Sequence, residues 1–138
     1  MFQPVPLSPS SQDGVWDWNV SENTVFFSER WKALLGYADD EIENSFEAWE
    51  KLMHPDDKAT AKARVEQHLR GETEDYRLEH RLLGKDGRYR WIAARGKLIS
   101  RTPTGEPLRF VGTHTDITDR DEAAEALREA KEVAEQAT

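Results

Sequence analysis

The chain of 138 residues contains no cysteine. This absence excludes disulfide bonds, thiol nucleophiles and zinc sites built from cysteine. The sequence also has no apolar run long enough to cross a bilayer, and its first residues lack the basic start and apolar centre of a signal peptide. We therefore expect a soluble, cytoplasmic module with no membrane insertion in this part of the protein.

Basic charge is scarce as well. Lys and Arg total 19 against 27 Asp and Glu, so the formal net charge is −8, and no basic block interrupts the acidity. Nucleic acids and anionic membranes are therefore poor partners for the chain. Its length fits one domain with an extension and is enough to bury a single core.

Composition divides the chain into three segments. Residues 1–12 contain several prolines and serines, show neither a helical nor a strand period, and are predicted to form a flexible leader. Residues 13–118 are predicted to form the domain. Residues 119–138 are rich in Ala and Glu and are predicted to form a linker helix, with Thr118 as its N-cap.

Along the domain, the spacing of apolar residues alternates between a strand-like period of two residues and a helix-like period of about 3.6 residues. They predict, in order, a hairpin over residues 14–27, a helix over 28–36, short helical pieces over 39–42 and 45–53, a longer helix over 56–70, and strands over 76–82, 89–99 and 108–117. Strands and helices grouped in this way indicate an α+β domain whose antiparallel sheet is covered by helices on one face.

A series of short motifs runs through residues 12–120 in a fixed order. They are Asp13-Gly14-Val15-Trp16-Asp17-Trp18, Phe27-Ser28-Glu29-Arg30-Trp31, Leu35-Gly36-Tyr37, His54-Pro55-Asp56-Asp57, Tyr76-Arg77-Leu78-Glu79-His80-Arg81, Asp86-Gly87-Arg88-Tyr89-Arg90-Trp91-Ile92, Arg95-Gly96, Gly112-Thr113 and Asp116-Ile117-Thr118. Together they resemble PAS domains with a C-terminal PAC segment, of the PAS fold-3 type. The resemblance implies a five-stranded antiparallel sheet of order 2-1-5-4-3, with helices over one face that enclose a small pocket.

Two departures from this family bear on function. Pro4, Pro6 and Pro9 oppose the amphipathic helix that often precedes the first strand of such domains and supports dimerisation. Because cysteine is absent, the chain cannot form the cysteinyl flavin or coumaroyl adducts of the light-sensing subtypes. The resemblance therefore leaves the cofactor unknown.

Aromatic and histidine positions supply the candidates for the pocket. Trp31, Trp49 and Trp91 each lie in an apolar pattern typical of core or pocket wall. His68 is the residue most like a haem ligand, but haem also needs an enclosing apolar pocket, and a helical His beside an apolar stripe is more often a boundary residue. His80, on the apolar face of its strand, is either a ligand contact or a core histidine bonded to a neighbour.

Two other patterns bring together groups used in metal binding or catalysis. His114 and Asp116 alternate onto one face, but two metal ligands without a third are weak evidence for a site. His54, Asp56 and Asp57 combine a base with carboxylates, although a proline turn and a charged first helical turn explain them more simply. We expect neither a metal site nor catalysis in this fragment.

The exit from the domain is expected to carry the signal. The resemblance implies that Asp116, Ile117 and Thr118 form a junction by which the sheet sets the direction of the linker helix. It also implies that the Asp116 carboxylate bonds the backbone and a basic side chain near the helix start. Arg95 and Arg120 are the candidates for that side chain.

Two features are expected to face a partner subunit. Trp16 and Trp18 share one face of the first strand and are predicted to line a dimer interface or to pack under the linker helix. The linker helix has two competing coiled-coil registers, one through Ala123, Leu127, Ala130, Ala134 and Ala137 and the other through Ile117, Ala124, Leu127, Lys131 and Ala134. Because small residues make both seams weak, a movable lever and a surface-packed or frayed helix both stay open.

The sequence thus predicts a PAS/PAC sensory and dimerisation module that detects a small ligand or a partner. It would act as a homodimer and relay the change through its C-terminal helix to a sensor histidine kinase, part of the same bacterial polypeptide, in a phosphorelay. One alternative is the same module regulating a diguanylate cyclase. Another is a structural dimerisation scaffold whose pocket is filled by its own side chains.

Overall fold

A computed structural model describes residues 12–137, so all but the last residue of the expected leader lies outside the described part. In chain order the elements are β1 Gly14–Asn19, β2 Thr24–Phe27, α1 Glu29–Leu34, α2 Phe46–Leu52, a single 3₁₀ turn Pro55–Asp57, α3 Lys58–Leu69, β3 Tyr76–Leu83, β4 Tyr89–Arg101, β5 Pro107–Asp116 and α4 Thr118–Gln136. Within residues 12–137, none of the helices has both the length and the hydropathy that a membrane span requires.

The five strands form one antiparallel sheet in the order β2-β1-β5-β4-β3. Every second residue of β3 is buried against the helices, whereas the residues between them are exposed or half-buried on the outer face. The helices α1, α2 and α3 pack on this inner face through β1 and β3. The α+β fold and the strand order predicted from the sequence are confirmed.

Serine side chains determine where the first two helices begin. The Ser28 hydroxyl accepts the N–H of Trp31 at 3.2 Å and that of Val15 at 2.9 Å, which starts α1 and ties it to β1. The Ser45 hydroxyl accepts the N–H of Ala48 at 3.1 Å and starts α2 in the same way. Each hydroxyl satisfies a backbone donor that the helix itself leaves unpaired.

The helical piece expected over residues 39–42 is wrong, because this stretch forms a turn. The ammonium of Lys32, whose side chain is only 3% exposed, donates to the backbone carbonyl of Asp39 at 2.7 Å and to its carboxylate at 3.1 Å. The Glu41 carboxylate accepts the N–H of Ala38 at 2.8 Å. These bonds hold the chain in a compact turn against α1 in place of a helix.

Trp16 lies at the centre of the core, directly against the backbone of two paired glycines. Gly96 of β4 and Gly112 of β5 are partners in the sheet, and Gly112 is also the β5 partner of Trp16. A Cβ atom on Gly112 would lie 2.0 Å from the Arg95 carbonyl oxygen and 2.3 Å from Cζ2 of Trp16. The Phe110 ring contacts the indole edge-on, with 4.8 Å between centroids. Only glycine permits this approach of ring to sheet.

The helix α4 leaves the domain after β5, and its contacts with the domain are made at its base, chiefly with β4. None of its described residues is buried. Leu127 and Val133 are 72% and 66% exposed, which is unusual for large apolar side chains. The linker helix expected from the sequence is therefore present, with its apolar residues unpartnered in a single chain.

The contact between Trp16 and the glycines leads to a first prediction. Gly112→Ala should lower the free energy of unfolding by about 3 kcal/mol or more, because the added methyl group meets backbone on one side and a buried ring on the other. Urea denaturation followed by circular dichroism measures the loss.

Gly87→Ala is the matched control for that prediction. Gly87 has a φ of +84°, but no described atom lies within 4 Å of its added Cβ, so the variant isolates the cost of positive φ, about 1 kcal/mol. Equal losses in the two variants would contradict the packing argument.

Candidate functional site

A cavity of about 40 Å³ lies between the inner face of the sheet and the helices. Among residues 12–137, ten line it, of which seven are Trp, Phe or Tyr and none is Asp, Glu, Lys or Arg. The volume is well below the ~150 Å³ that admits a benzene ring in a rigid apolar cavity. A ligand of that size therefore requires part of the wall to move.

Two stacked rings form the half-buried part of the cavity wall. Trp18 of β1 and Phe46 of α2 lie with 4.9 Å between centroids and 26° between planes. They are the two lining residues that are half-buried, whereas the other eight are buried. The Trp18 indole N–H donates to the exposed amide oxygen of Asn23 at 3.2 Å. Movement of Phe46 would therefore open the cavity at low cost in buried contacts.

The expected position of Trp16 and Trp18 at a dimer interface or under the linker helix is corrected by the structure. The two residues do share a face, but it is the inner face, where Trp16 is 7% exposed and both rings line the cavity. The reason is the place of β1 between β2 and β5, with α1 packed over it. The linker helix contacts β4 instead.

His80 is completely buried next to the cavity. Its Nε2 accepts the indole N–H of Trp49, a lining residue, at 3.0 Å. Because Nε2 is the acceptor, the neutral ring carries its proton on Nδ1. Within residues 12–137, no acceptor meets full hydrogen-bond geometry at that Nδ1, although the backbone carbonyls of Ile92 and Leu78 interact with the ring. Burial lowers the pKa of His80 to about 4, so the ring is neutral at physiological pH.

His114 of β5 connects the cavity with the surrounding rings. It lines the cavity, and its ring lies 5.3 Å from that of His80 and 5.4 Å from that of Trp31, between centroids. Burial holds the pKa of His114 well below its usual value. The sequence suggested this residue only as a metal ligand with Asp116, although its alternation with Phe110 already placed it on the inner face.

Trp31 is a core residue behind the cavity wall. Its ring stacks on Phe27, with 4.0 Å between centroids, and is 1% exposed. In the described part of the chain, its indole N–H has no acceptor. Trp31 therefore presents an unpaired donor in the interior, and its ring, like that of His80, packs on His114.

Trp91 lies outside the pocket, contrary to expectation. The alternation of β4 turns Ile92 and Ala94 to the core, so that Trp91 is on the outer face and only half-buried. The Arg81 guanidinium lies 4.9 Å from the centre of its ring. The same Arg81 binds the Asp57 carboxylate at 2.9 Å, which lowers the pKa of that carboxyl group.

His54, Asp56 and Asp57 are engaged in local structural contacts. The Nδ1 of His54 accepts the backbone N–H of Asp56 at 3.0 Å, at the start of the 3₁₀ turn. Asp57 accepts from the backbone and the guanidinium of Arg81. A search of residues 12–137 finds no group of three metal-ligand side chains.

His68 of α3 uses both ring nitrogens in structural contacts. Nδ1 lies 3.0 Å from the Thr73 hydroxyl, and Nε2 accepts the backbone N–H of Leu98 at 2.9 Å. The pairing of β3 with β4 ends at Tyr76 and Gly96, so β3 offers no carbonyl to the N–H of Leu98. The imidazole of His68 accepts that N–H instead. With both nitrogens engaged, His68 presents no lone pair to an iron atom.

The junction between β5 and α4 is fastened by three hydrogen bonds. Asp116 Oδ1 accepts the N–H of Thr118 at 2.9 Å. The Thr118 hydroxyl accepts the N–H of Trp91 at 2.9 Å, and the Trp91 carbonyl accepts the N–H of Ile117 at 2.8 Å. The Thr118 hydroxyl thus ties the helix base to β4, and Ile117 takes the N-cap position that the sequence assigned to Thr118.

The basic partner expected for Asp116 is elsewhere. Arg120 donates to Glu79 on β3 at 2.9 Å and to its neighbour Asp121. Arg95 is exposed on the outer face of β4. The reason is the direction of α4, whose first turn brings the Arg120 guanidinium to Glu79 on the exposed face of β3.

The predicted seam of the linker helix is exposed along its length. Its residues are Ala123, Leu127, Ala130 and Ala134. Arg128 forms ion pairs with Glu125 and Glu132, which stabilise the helix locally and favour neither register. Both registers stay predictions.

Acid should destabilise the protein through its buried histidines. A histidine whose pKa is lower in the folded chain than in the unfolded one takes up its proton on unfolding, so stability is lost as the pH falls from 6.5 towards the folded pKa. With a folded pKa of about 4, His80 alone should lower the free energy of unfolding by about 2 kcal/mol between pH 7.5 and pH 5.

Urea denaturation at the two pH values tests this loss in the wild type and in His80→Gln. Glutamine keeps an acceptor for the Trp49 N–H but does not titrate, so the variant should lose about 2 kcal/mol less on acidification. Between pH 7.5 and pH 8.5 the difference between the two proteins should stay constant, which serves as the control. The same acid loss in both proteins would rule out a neutral, buried His80.

Comparison with known proteins gives a consistent result. A family model described as the PAS fold matches residues 24–114. The structure of a sensory box histidine kinase/response regulator from Burkholderia thailandensis is 33% identical, with a TM-score of 0.77 over 91% of this chain and 92% of that one. The N-terminal domain of a diguanylate cyclase with PAS/PAC sensor from Marinobacter aquaeolei is 27% identical, with a TM-score of 0.68 over 79% of this chain and 98% of that one.

Curated relatives are much longer than this chain. A methyl sulfide methyltransferase-associated sensor from Methanosarcina acetivorans is 31% identical over 73% of the chain, which corresponds to 10% of that protein. Across the curated relatives, the matched region spans between 4% and 13% of their length.

Proposed function

This chain belongs to the PAS family, and on that premise we propose that it is the sensory module of a larger signalling protein. Residues 13–118 detect a small ligand in the aromatic cavity, and residues 119–138 pass the change to an output domain of the same polypeptide. The histidine kinase matched at 33% identity supports a kinase output in a phosphorelay. The diguanylate cyclase sensor matched at 27% identity supports a cyclase as the second candidate.

One observation carries this proposal: a single strand holds both the cavity wall and the base of the helix. His114 lines the cavity, and Asp116, two residues later on β5, bonds the first turn of α4. A ligand that shifts the His114 ring moves the backbone of β5 at that point, and the junction transmits the shift to the helix.

Neighbouring strands fix the angle of the helix at two more places. Trp91 of β4 bonds both Ile117 and Thr118, and Glu79 of β3 binds Arg120. Glu79 precedes His80 on β3, so the ion pair between Glu79 and Arg120 is one residue away from the ring that packs on His114. Three strands of the sheet therefore act on the first turn of α4, and the described residues of its later turns are exposed to solvent.

In a homodimer joined through α4, a change in the angle of the helix would alter the packing between the two subunits. Two parallel helices would bury Leu127, which is largely exposed in one chain. Alanines at the other seam positions keep this contact weak. A weak seam with two registers is suited to switching, because a small input can change the balance between two nearly equal packings.

The junction is tested by Thr118→Val, which removes the acceptor for the Trp91 N–H and preserves the shape of the side chain. In a chimera that carries this module in front of a histidine kinase, autophosphorylation should change at least threefold. The free energy of unfolding should fall by only about 1 kcal/mol. Thr24→Val, at an exposed position of β2 away from α4, is the control and should leave the kinase rate unchanged.

Phosphorylation rates that are the same for Thr118→Val and Thr24→Val would count against the relay. They would favour the alternative of a structural scaffold that sets subunit spacing.

The dimer proposal is tested by Leu127→Lys. Burial of a lysine in the helix seam should weaken self-association at least tenfold, measured by sedimentation equilibrium. Ala126→Lys adds the same charge at the adjacent position, which lies outside both registers, and should change association much less. Equal effects would show that the helix does not associate through either register.

A further inference from the structure

The Phe46 ring at the start of α2 has aromatic and aliphatic neighbours. It stacks on Trp18 with 4.9 Å between centroids and meets Trp49 edge-on at 5.3 Å. Val25 of β2 and Phe110 of β5 are the partners of Trp18 on its two sides in the sheet, and both line the cavity as well. The Phe46 site is the space that the Phe46 ring occupies among these four side chains. A ring in this site is therefore surrounded by apolar surface.

The tryptophans of the cavity lining present ring faces to a ligand in preference to hydrogen-bond donors. The lining contains three of them, and each indole N–H already donates to an acceptor within the protein. The acceptors are the Thr113 carbonyl at 3.2 Å from Trp16, the Asn23 amide oxygen at 3.2 Å from Trp18 and His80 Nε2 at 3.0 Å from Trp49. A bound molecule therefore gains contacts with these rings and no hydrogen bond from their N–H groups.

Among residues 12–137, the other lining side chains that can form hydrogen bonds are Tyr76 and His114. Phe110 separates Tyr76 from Trp18, because β5 lies between β1 and β3. The Phe110 ring contacts both of these rings, with 5.1 Å to Tyr76 and 6.0 Å to Trp18 between centroids. His114 lies four residues after Phe110 on β5, which places it about 13 Å further along the strand. A polar group on a ring in the Phe46 site is therefore remote from both partners.

The cavity lining is also unsuited to ions. Among residues 12–137, none of the ten lining residues is Asp, Glu, Lys or Arg. Burial lowers the pKa of His114, so its ring is neutral. An ionised ligand would lose its hydration in the cavity without gaining a counter-ion. The lining therefore favours an uncharged molecule.

Phe46 is able to leave its site because it is held near the surface. It is half-buried and is the first residue of α2. The same helical turn is joined to the turn between β1 and β2 by an exposed hydrogen bond, in which the Asn23 amide donates to the Glu47 carboxylate at 3.4 Å. Movement of this turn exposes the Phe46 ring and leaves the sheet intact.

The space beside the Phe46 site sets the size of the ligand. A cavity of about 40 Å³ adjoins the site and is not filled by the Phe46 ring. A phenyl ring that carries one or two further carbons fills both spaces. Each added methylene group should tighten binding about fourfold. Such a molecule gains contacts that Phe46 itself does not make.

We propose that the cavity binds a small, uncharged aromatic hydrocarbon with a short alkyl group. Its ring replaces Phe46 against Trp18, and its alkyl group fills the adjoining space. The ligand packs on Phe110 of β5, the strand that leads to the base of α4. This assignment rests on the proposed sensory function and gives the chemical class of the signal.

Three compounds with the same number of heavy atoms test the ligand class on the whole wild-type chain. Ethylbenzene, benzyl alcohol and benzylammonium differ only in a terminal methyl, hydroxyl or ammonium group. Affinities are measured by calorimetry and tryptophan fluorescence. Ethylbenzene should bind at least tenfold more tightly than either of the others, because the site has no partner for their polar groups. A smaller difference would overturn the proposal, and tightest binding of benzylammonium would identify an aromatic cage for cations instead.

Two variants test whether the ligand takes the place of Phe46. Phe46→Ala removes the ring that competes with the ligand and should tighten ethylbenzene binding at least tenfold. Phe26→Ala is the matched control, because Phe26 is 55% exposed and lies on β2 between the buried Val25 and Phe27. It should leave the affinity unchanged. Equal affinities of the two variants for ethylbenzene would overturn the assignment.

Nuclear magnetic resonance gives a second readout that needs no substitution. In the wild type, ethylbenzene should show nuclear Overhauser contacts to the indole ring of Trp18, and those between Phe46 and Trp18 should weaken. Bound ethylbenzene without contacts to Trp18 would overturn the assignment. If ethylbenzene fails to bind while Thr118→Val still alters the output, the ligand class is wrong and the relay stands; if it binds as expected while Thr118→Val is silent, the ligand class stands and the relay fails.

Discussion

The approach of the Trp16 indole to the backbone of Gly96 and Gly112 is the contact on which the rest of the structure depends. Because these paired glycines have no side chains, the ring lies directly on the sheet. From there it contacts Phe110 at 4.8 Å and His114 at 6.3 Å, between centroids, and donates to the Thr113 carbonyl at 3.2 Å. The other aromatic rings on the inner face of the sheet pack around this indole, and the cavity is the space that they do not fill.

The cavity lies on the central strands of the sheet, and these strands also contact the base of α4. β5 lies between β1 and β4, so a displacement of its backbone reaches both the ring layer and Trp91. Trp91 bonds the start of α4 in both directions, through its N–H and its carbonyl. Burial of His80 and His114 as neutral rings keeps this region free of charge, which suits an uncharged ligand more than an ion.

How far the sequence predicts this molecule depends on the range of the interaction. Alternation in β3 and the serine caps are local, so the strands and most helix starts follow from the sequence. The turn at 39–42 depends on Lys32 reaching back from α1, which no local period reveals. The inner position of Trp16 and Trp18 and the outer position of Trp91 depend on which face the helices cover. The unpaired indole N–H of Trp31 emerges only when α1 is packed against residues of β2 and β5.

The central claim is that the cavity and the base of α4 form one mechanical unit. Amide hydrogen exchange of Trp91 and Ile117, compared between the wild type and Phe46→Ala, tests it most directly, because the substitution enlarges the cavity and these two N–H groups make the bonds that hold the helix base. The account predicts that their protection changes at least severalfold in Phe46→Ala, while that of Thr102, whose N–H bonds Glu106 in the turn between β4 and β5, stays the same. Unchanged exchange at Trp91 and Ile117 in Phe46→Ala would contradict it.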